Sequence, residues 1–105
     1  MPMTRIAAAI AAAWLVTLAT PALAQDDATL ARNLAATCAS CHGTGGKSRG
    51  PVPSLAGQPK ADLVQKMNDF RDGKRPATIM HQLAKGYTPA QVELLAGWFA
   101  QQKAP

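Results

Sequence analysis

The sequence predicts a small all-α domain, and three observations carry that prediction. Apolar residues recur at helical spacing in separate segments, no segment keeps the alternation of a strand, and one Gly/Pro-rich stretch parts the first helix from the rest. The N-terminal residues stand apart from this domain. Between positions 2 and 24 Arg5 is the one basic residue, no acid occurs, and an apolar run of 14 residues extends from Ile6 to Ala19. That run is short of the ~20 residues a membrane-spanning helix needs. Thr20 and Pro21 follow it, and Ala22-Leu23-Ala24 forms an A-x-A site. Residues 1–24 therefore read as an export signal cleaved after Ala24. The expected mature protein is residues 25–105, 81 of the 105, a single periplasmic domain with no stable membrane insertion.

Cleavage removes Trp14 and leaves Phe70, Tyr87, Trp98 and Phe99 as the large aromatics. A core with so few bulky side chains is marginal, because small domains bury a low fraction of their surface. Chains of this size recruit a disulfide, a metal or another bound group. Composition excludes a multidomain enzyme and a membrane channel, and it points to a cofactor.

Asp26 to Ala36 is the first expected helix. Acids at its start suit the helix dipole, and Leu30 and Leu34 recur four apart with Ala31 and Ala35 beside them. Residues 43–59 form a loop, since Gly43, Gly45, Gly46, Gly50, Gly57, Pro51, Pro53 and Pro59 fall within it. Asp62 to Arg71 returns to helical spacing through Leu63, Val64, Met67 and Phe70, and Gly73 and Pro76 stop it. A short segment from Thr78 to Lys85 carries Ile79, Met80 and Leu83 and ends at Gly86. The last helix has the clearest start. Thr88 is the cap, Pro89 suits the first turn and Gln91 completes a capping-box spacing. Val92, Leu94, Leu95, Trp98 and Phe99 give it an apolar surface to about Gln102.

Both cysteines fall in one motif, Cys38-Ala39-Ser40-Cys41-His42. C-x-x-C-H is the attachment signature of haem c. Cysteines three apart on a helical turn project from one side, so each thiol reaches one vinyl group on a haem edge. The histidine after Cys41 is carried beneath the ring, where its imidazole ligates iron axially. A redox C-x-x-C belongs at a strand-to-helix junction of a βαβ fold, and no strand pattern occurs. A zinc site from Cys38, Cys41, His42 and His81 would need adjacent ligands, which is awkward for one tetrahedron. A disulfide closing so short a loop leaves His42 unexplained.

Low-spin electron-transfer iron needs a second axial ligand, and the mature chain offers Met67, Met80 and His81. Met67 sits mid-helix at core spacing. Met80 lies beyond the Gly73/Pro76 break on a segment free to face the ring, and it is the expected ligand. His81 is its rival and is otherwise a solvated residue. Filled axial positions favour one-electron transfer over oxygen or peroxide chemistry, and a thioether ligand raises the reduction potential. A metal-bound imidazole donates its other N–H to a carbonyl, and Pro51 or Pro53 can supply one. Leu55 is a candidate to pack on the haem face.

With these residues in view the chain resembles a class I c-type cytochrome over the whole mature region. The resemblance implies helices packed around one covalently bound haem, with first and last helices crossing beside it. Ala31 and Ala35 against Gly97 and Trp98 are the expected crossing. The family's P-x-L pattern falls on Pro53 and Leu55, which implies the Pro53 carbonyl as the acceptor for His42. More narrowly, Thr78 to Thr88 and Gly97-Trp98-Phe99 are similar to the cytochrome subunit of flavocytochrome c sulfide dehydrogenase. That similarity implies a flavoprotein that oxidises sulfide as electron donor. Diheme members have two C-x-x-C-H motifs, and this chain has one.

Loss of Arg5 lowers the formal charge from +5 to +4, and two haem propionates would bring it to about +2. Lys47, Arg49, Lys60, Lys66, Arg71, Lys74, Arg75 and Lys85 are among the remaining cations. A basic rim steers a carrier toward acidic protein partners. Nucleic acid is not an expected partner, since the few aromatics sit at core positions rather than in a base-stacking arrangement. The sequence thus predicts a monohaem electron carrier rather than an enzyme, working alone or as the electron-accepting subunit of a sulfide-oxidising flavoprotein.

Overall fold

A computed structural model describes residues 26–105. The predicted export signal lies outside the described residues. Five α-helices follow in order: α1 (Asp27–Ala36), α2 (Ala39–His42), α3 (Lys60–Arg71), α4 (Met80–Leu83) and α5 (Pro89–Ala100). Short 3-10 turns at Thr44–Gly46 and Ala84–Gly86 follow α2 and α4, and no strand occurs among the described residues. No helix there is long and apolar enough to cross a membrane.

Helix ends are set by local chemistry. Asp26 caps α1 by accepting from the Thr29 N–H at 2.7 Å. That bond holds its carboxyl below the usual carboxylate range. α5 begins with the expected reciprocal box. The Thr88 hydroxyl accepts from the Gln91 N–H at 3.2 Å, and the Thr88 N–H donates to the Gln91 side chain at 2.9 Å. α3 starts at Lys60, two residues ahead of the helical pattern, because Pro59 is its cap and the Pro59 carbonyl takes the Asp62 and Leu63 N–H groups.

α1 packs across α5, and α3 packs against both α5 and α4. The core is a single cluster of Ala35, Leu63, Leu95, Ala96 and Phe99, with Leu34, Cys38, Leu55, Val64, Tyr87 and Trp98 against it. Phe99 of this cluster and Val92, also on α5, are the largest fully buried side chains among the described residues, each contributing about 1.5–3 kcal/mol. Trp98 meets Phe99 edge-on at 5.1 Å. This is a thin core, as composition predicts.

The expected α1–α5 crossing is present, and Trp98 of α5 packs against the core cluster that holds Ala35 of α1. Ala31 and Ala35 are buried, but α5 buries Val92, Leu95, Ala96 and Phe99. Gly97 lies one residue farther round, and a Cβ on it would meet the Lys60 side chain of α3 at 3.7 Å. The small residue that α5 buries in the core is therefore Ala96, and the gap at Gly97 is occupied by the Lys60 stem. Lys60 then reaches Glu93 at 2.9 Å.

Candidate functional site

The motif turn follows directly from α1. The Cys38 N–H bonds the Ala35 carbonyl, and the Cys41 and His42 N–H groups bond the Cys38 carbonyl at 3.3 and 2.9 Å. Cys38, Cys41 and His42 thus share a single helical turn that stops at Gly43. Both thiols are free, Cys41 exposed and Cys38 half-buried. Burial pushes the Cys38 thiol up.

His42 is 8% exposed, the buried polar side chain among the described residues. Its Nδ1 lies 2.6 Å from the Pro53 carbonyl oxygen. A carbonyl oxygen only accepts, so Nδ1 carries the proton. The lone pair of the neutral ring is then on Nε2, the tautomer an axial metal ligand requires. Pro51 is exposed and makes no such bond.

Pro53 is held by ties that sequence reasoning missed. The Gly46 carbonyl accepts from Leu55 N–H at 2.8 Å and from Ala56 N–H at 3.1 Å. The Ser54 hydroxyl accepts from Ser48 N–H at 2.9 Å. Gln58 donates to the Ser54 carbonyl, and Lys66 of α3 donates to Gln58 Oε1 at 2.6 Å. Gly46 itself has φ +78 and sits where a Cβ would fall 2.7 Å from the Phe99 ring. The crowding of glycines from Gly43 to Gly46 was the available signal. The serine and glutamine partners have none. A further tie joins Thr37 Oγ1 to Tyr87 Oη at 2.9 Å, linking the end of α1 to the entry of α5.

Met80 is half-buried at the first position of α4, which packs against α3. Met67 is also half-buried, within α3. Leu55 packs against the core cluster. His81 differs from the solvated residue expected if it is no ligand: it is half-buried, with its Nδ1 enclosed and unpartnered among the described residues.

The donor set fits a covalently attached haem. Two free thiols stand on one turn and the next residue presents a fixed imidazole tautomer. The short core leaves the chain in need of a bulky apolar group. Among the described residues no three His, Cys, Asp or Glu side chains gather as a metal cage.

Residues 28–102 match the family model described as Cytochrome c. The chain is 39% identical over 66 residues to the cytochrome subunit of sulfide dehydrogenase from Chlorobaculum tepidum, covering 63% of this chain and 60% of that protein. It is 38% identical over 92 residues to cytochrome c4 of Pseudomonas aeruginosa, covering 85% and 46%. The solved structure of cytochrome c4 from Acidithiobacillus ferrooxidans superposes with a TM-score of 0.58 at 40% identity, over 60% of this chain and 37% of that one. The chain thus spans between 37% and 60% of the length of these relatives. A match along nearly all the described residues, on a strandless fold, settles the family: the chain belongs to the cytochrome c family, and covalently attached haem c is the cofactor that membership implies.

Proposed function

We propose that this chain is a periplasmic carrier of single electrons, with one haem held by Cys38 and Cys41 and ligated by His42 and Met80. The hydrogen bond from His42 Nδ1 to the Pro53 carbonyl carries the reading, because it fixes the ring and leaves Nε2 as the nitrogen a metal would take. When bound, the haem supplies the one-electron couple, at a potential raised by the thioether ligand. Cys38 and Cys41 would hold it covalently, His42 and Met80 would be its iron ligands, and Pro53 sets the orientation of His42. The relatives of this chain, cytochromes by name, support the same role.

The test is spectroscopic. Protein reduced by ascorbate is expected to give a low-spin c-type spectrum, and the ferric form the weak methionine–iron charge-transfer band. A Met80→Ala protein that kept this band would remove Met80 as ligand.

A second reading makes the chain the electron-accepting subunit of a flavoprotein that oxidises sulfide. Its 39% identity to the Chlorobaculum tepidum subunit supports it. Lys47 and Arg49 flank an open cleft beside Cys41, where they would steer an acidic partner. Co-purification with a flavin-bearing chain and sulfide-dependent reduction in the mixture favour this reading. A lone monomer inert toward such a mixture counts against it.

A further inference from the structure

We infer that Gln58 and Lys66 are positioning residues for the axial histidine, holding the Pro53 carbonyl against His42 through the Ser54 peptide. The inference rests on the reading of His42 as an iron ligand. It starts from where Lys66 spends its charge. Lys66 is a half-buried cation on α3, yet among the described residues the ion pairs are Lys60 with Glu93 and Arg71 with Asp72. Lys66 instead donates at 2.6 Å to the side-chain oxygen of Gln58. A hydrogen bond from a cation is about twice as strong as one between neutral groups. Here it is directed at an amide in the loop that carries Pro53.

The local fold explains the reach. The Gln58 N–H bonds the Leu55 carbonyl at 3.3 Å, closing a turn whose third residue, Gly57, has φ +76. The turn returns the Gln58 side chain to Ser54. An ammonium group only donates, so the amide oxygen must face Lys66, which leaves the amide NH2 for the Ser54 carbonyl. The same peptide is gripped at its other end, where the Leu55 N–H donates to the Gly46 carbonyl at 2.8 Å. The preceding peptide carries the Pro53 carbonyl, which accepts from His42 Nδ1 at 2.6 Å. Lys66 thus sets the direction of the amide, the amide holds the Ser54 peptide, and that peptide places the acceptor for His42. Outer partners of this kind orient a metal-bound imidazole.

The experiment is nitrogen-edited proton NMR of the ferrous, diamagnetic holoprotein, reading the shift and solvent exchange of the His42 Nδ1 proton. Gln58→Glu keeps an acceptor for Lys66 but cannot donate to the Ser54 carbonyl. Lys66→Met leaves the amide free to turn over. Each should speed exchange of the Nδ1 proton roughly tenfold, as expected for losing one hydrogen bond from the local structure, and move its shift upfield. Lys66→Arg keeps a cationic donor and should stay close to the wild type. Thr88→Ala, which weakens the domain at the cap of α5, is the control and should leave the His42 shift in place.

An unchanged His42 proton in either Gln58→Glu or Lys66→Met overturns the inference, whatever that variant loses in unfolding stability. Should Gln58→Glu fail to fold, Lys66→Met decides alone. A change no larger than that in Thr88→Ala makes the ties merely structural and overturns it as well. The low-spin c-type spectrum of the wild type separates the two failures. Where it is present, unchanged variants leave His42 as ligand and remove Gln58 and Lys66 from their role. A wild type without it overturns the ligand reading and the inference together.

Discussion

Replacing Gly46 by alanine tests how the Pro53 loop is seated on α5. Two costs add. The position has φ +78, a left-handed conformation that costs a residue with a Cβ about 1–2 kcal/mol. The new Cβ would also lie 2.7 and 2.9 Å from two Phe99 ring carbons and 3.0 Å from the Ala56 nitrogen. Phe99 is 1% exposed and cannot swing aside, so overpacking adds about 1–3 kcal/mol. The expected loss is about 2–5 kcal/mol, against the roughly 4–12 kcal/mol that holds a domain of this size. Gly45 is the internal control. Its φ is +65, but a Cβ there meets nothing within 4 Å, so Gly45→Ala should lose only the ~1–2 kcal/mol of the backbone. Urea unfolding of the holoproteins, followed by Trp98 emission, measures both. Equal losses at the two positions would refute the contact with Phe99. A loss under about 1 kcal/mol at Gly46 would refute the left-handed seat as well.

Two further outcomes follow from the helix ends. Thr88→Ala removes one half of the capping box on α5 and should cost about 0.5–2 kcal/mol in the same urea assay; no loss would mean the box contributes nothing. Asp26 has a native pKa lowered by its bond to the Thr29 N–H, so its contribution is fully present above the ordinary carboxylate range and is lost as pH falls through the lowered value. The stability difference between wild type and Asp26→Asn should therefore shrink toward acid, and a difference that grew toward acid would contradict the cap.

Much of the site was legible because it is written within single turns. Cys38-Ala39-Ser40-Cys41-His42 carries its own spacing, and Thr88, Pro89 and Gln91 carry theirs. Helix boundaries were less visible where no cap side chain marks them. α3 opens on Pro59, whose ring and carbonyl rather than a hydroxyl set the start. α5 ends at Ala100 rather than about Gln102, since Gln101 and Gln102 turn back onto the Trp98 and Phe99 carbonyls. The α1–α5 crossing illustrates a limit of periodicity. Ala96 and Gly97 are both small, and only the rotation of the helix decides which enters the core and which makes room for Lys60. The long-range ties were illegible for another reason. Gly57 N–H to Phe99, Lys66 to Gln58 and Thr37 to Tyr87 join residues on separate elements. No local pattern encodes such partners, because each depends on the packed arrangement of the others.

The claim beneath all of this is that Cys38 and Cys41 carry one haem through thioether bonds. Intact mass measurement of the exported protein, with fragmentation of the peptide containing both cysteines, addresses it most directly. A chain heavier by one haem is expected, with the added mass on Cys38 and Cys41 and no free thiol. An exported polypeptide of bare mass, with the two cysteines reduced or joined to each other, would contradict it.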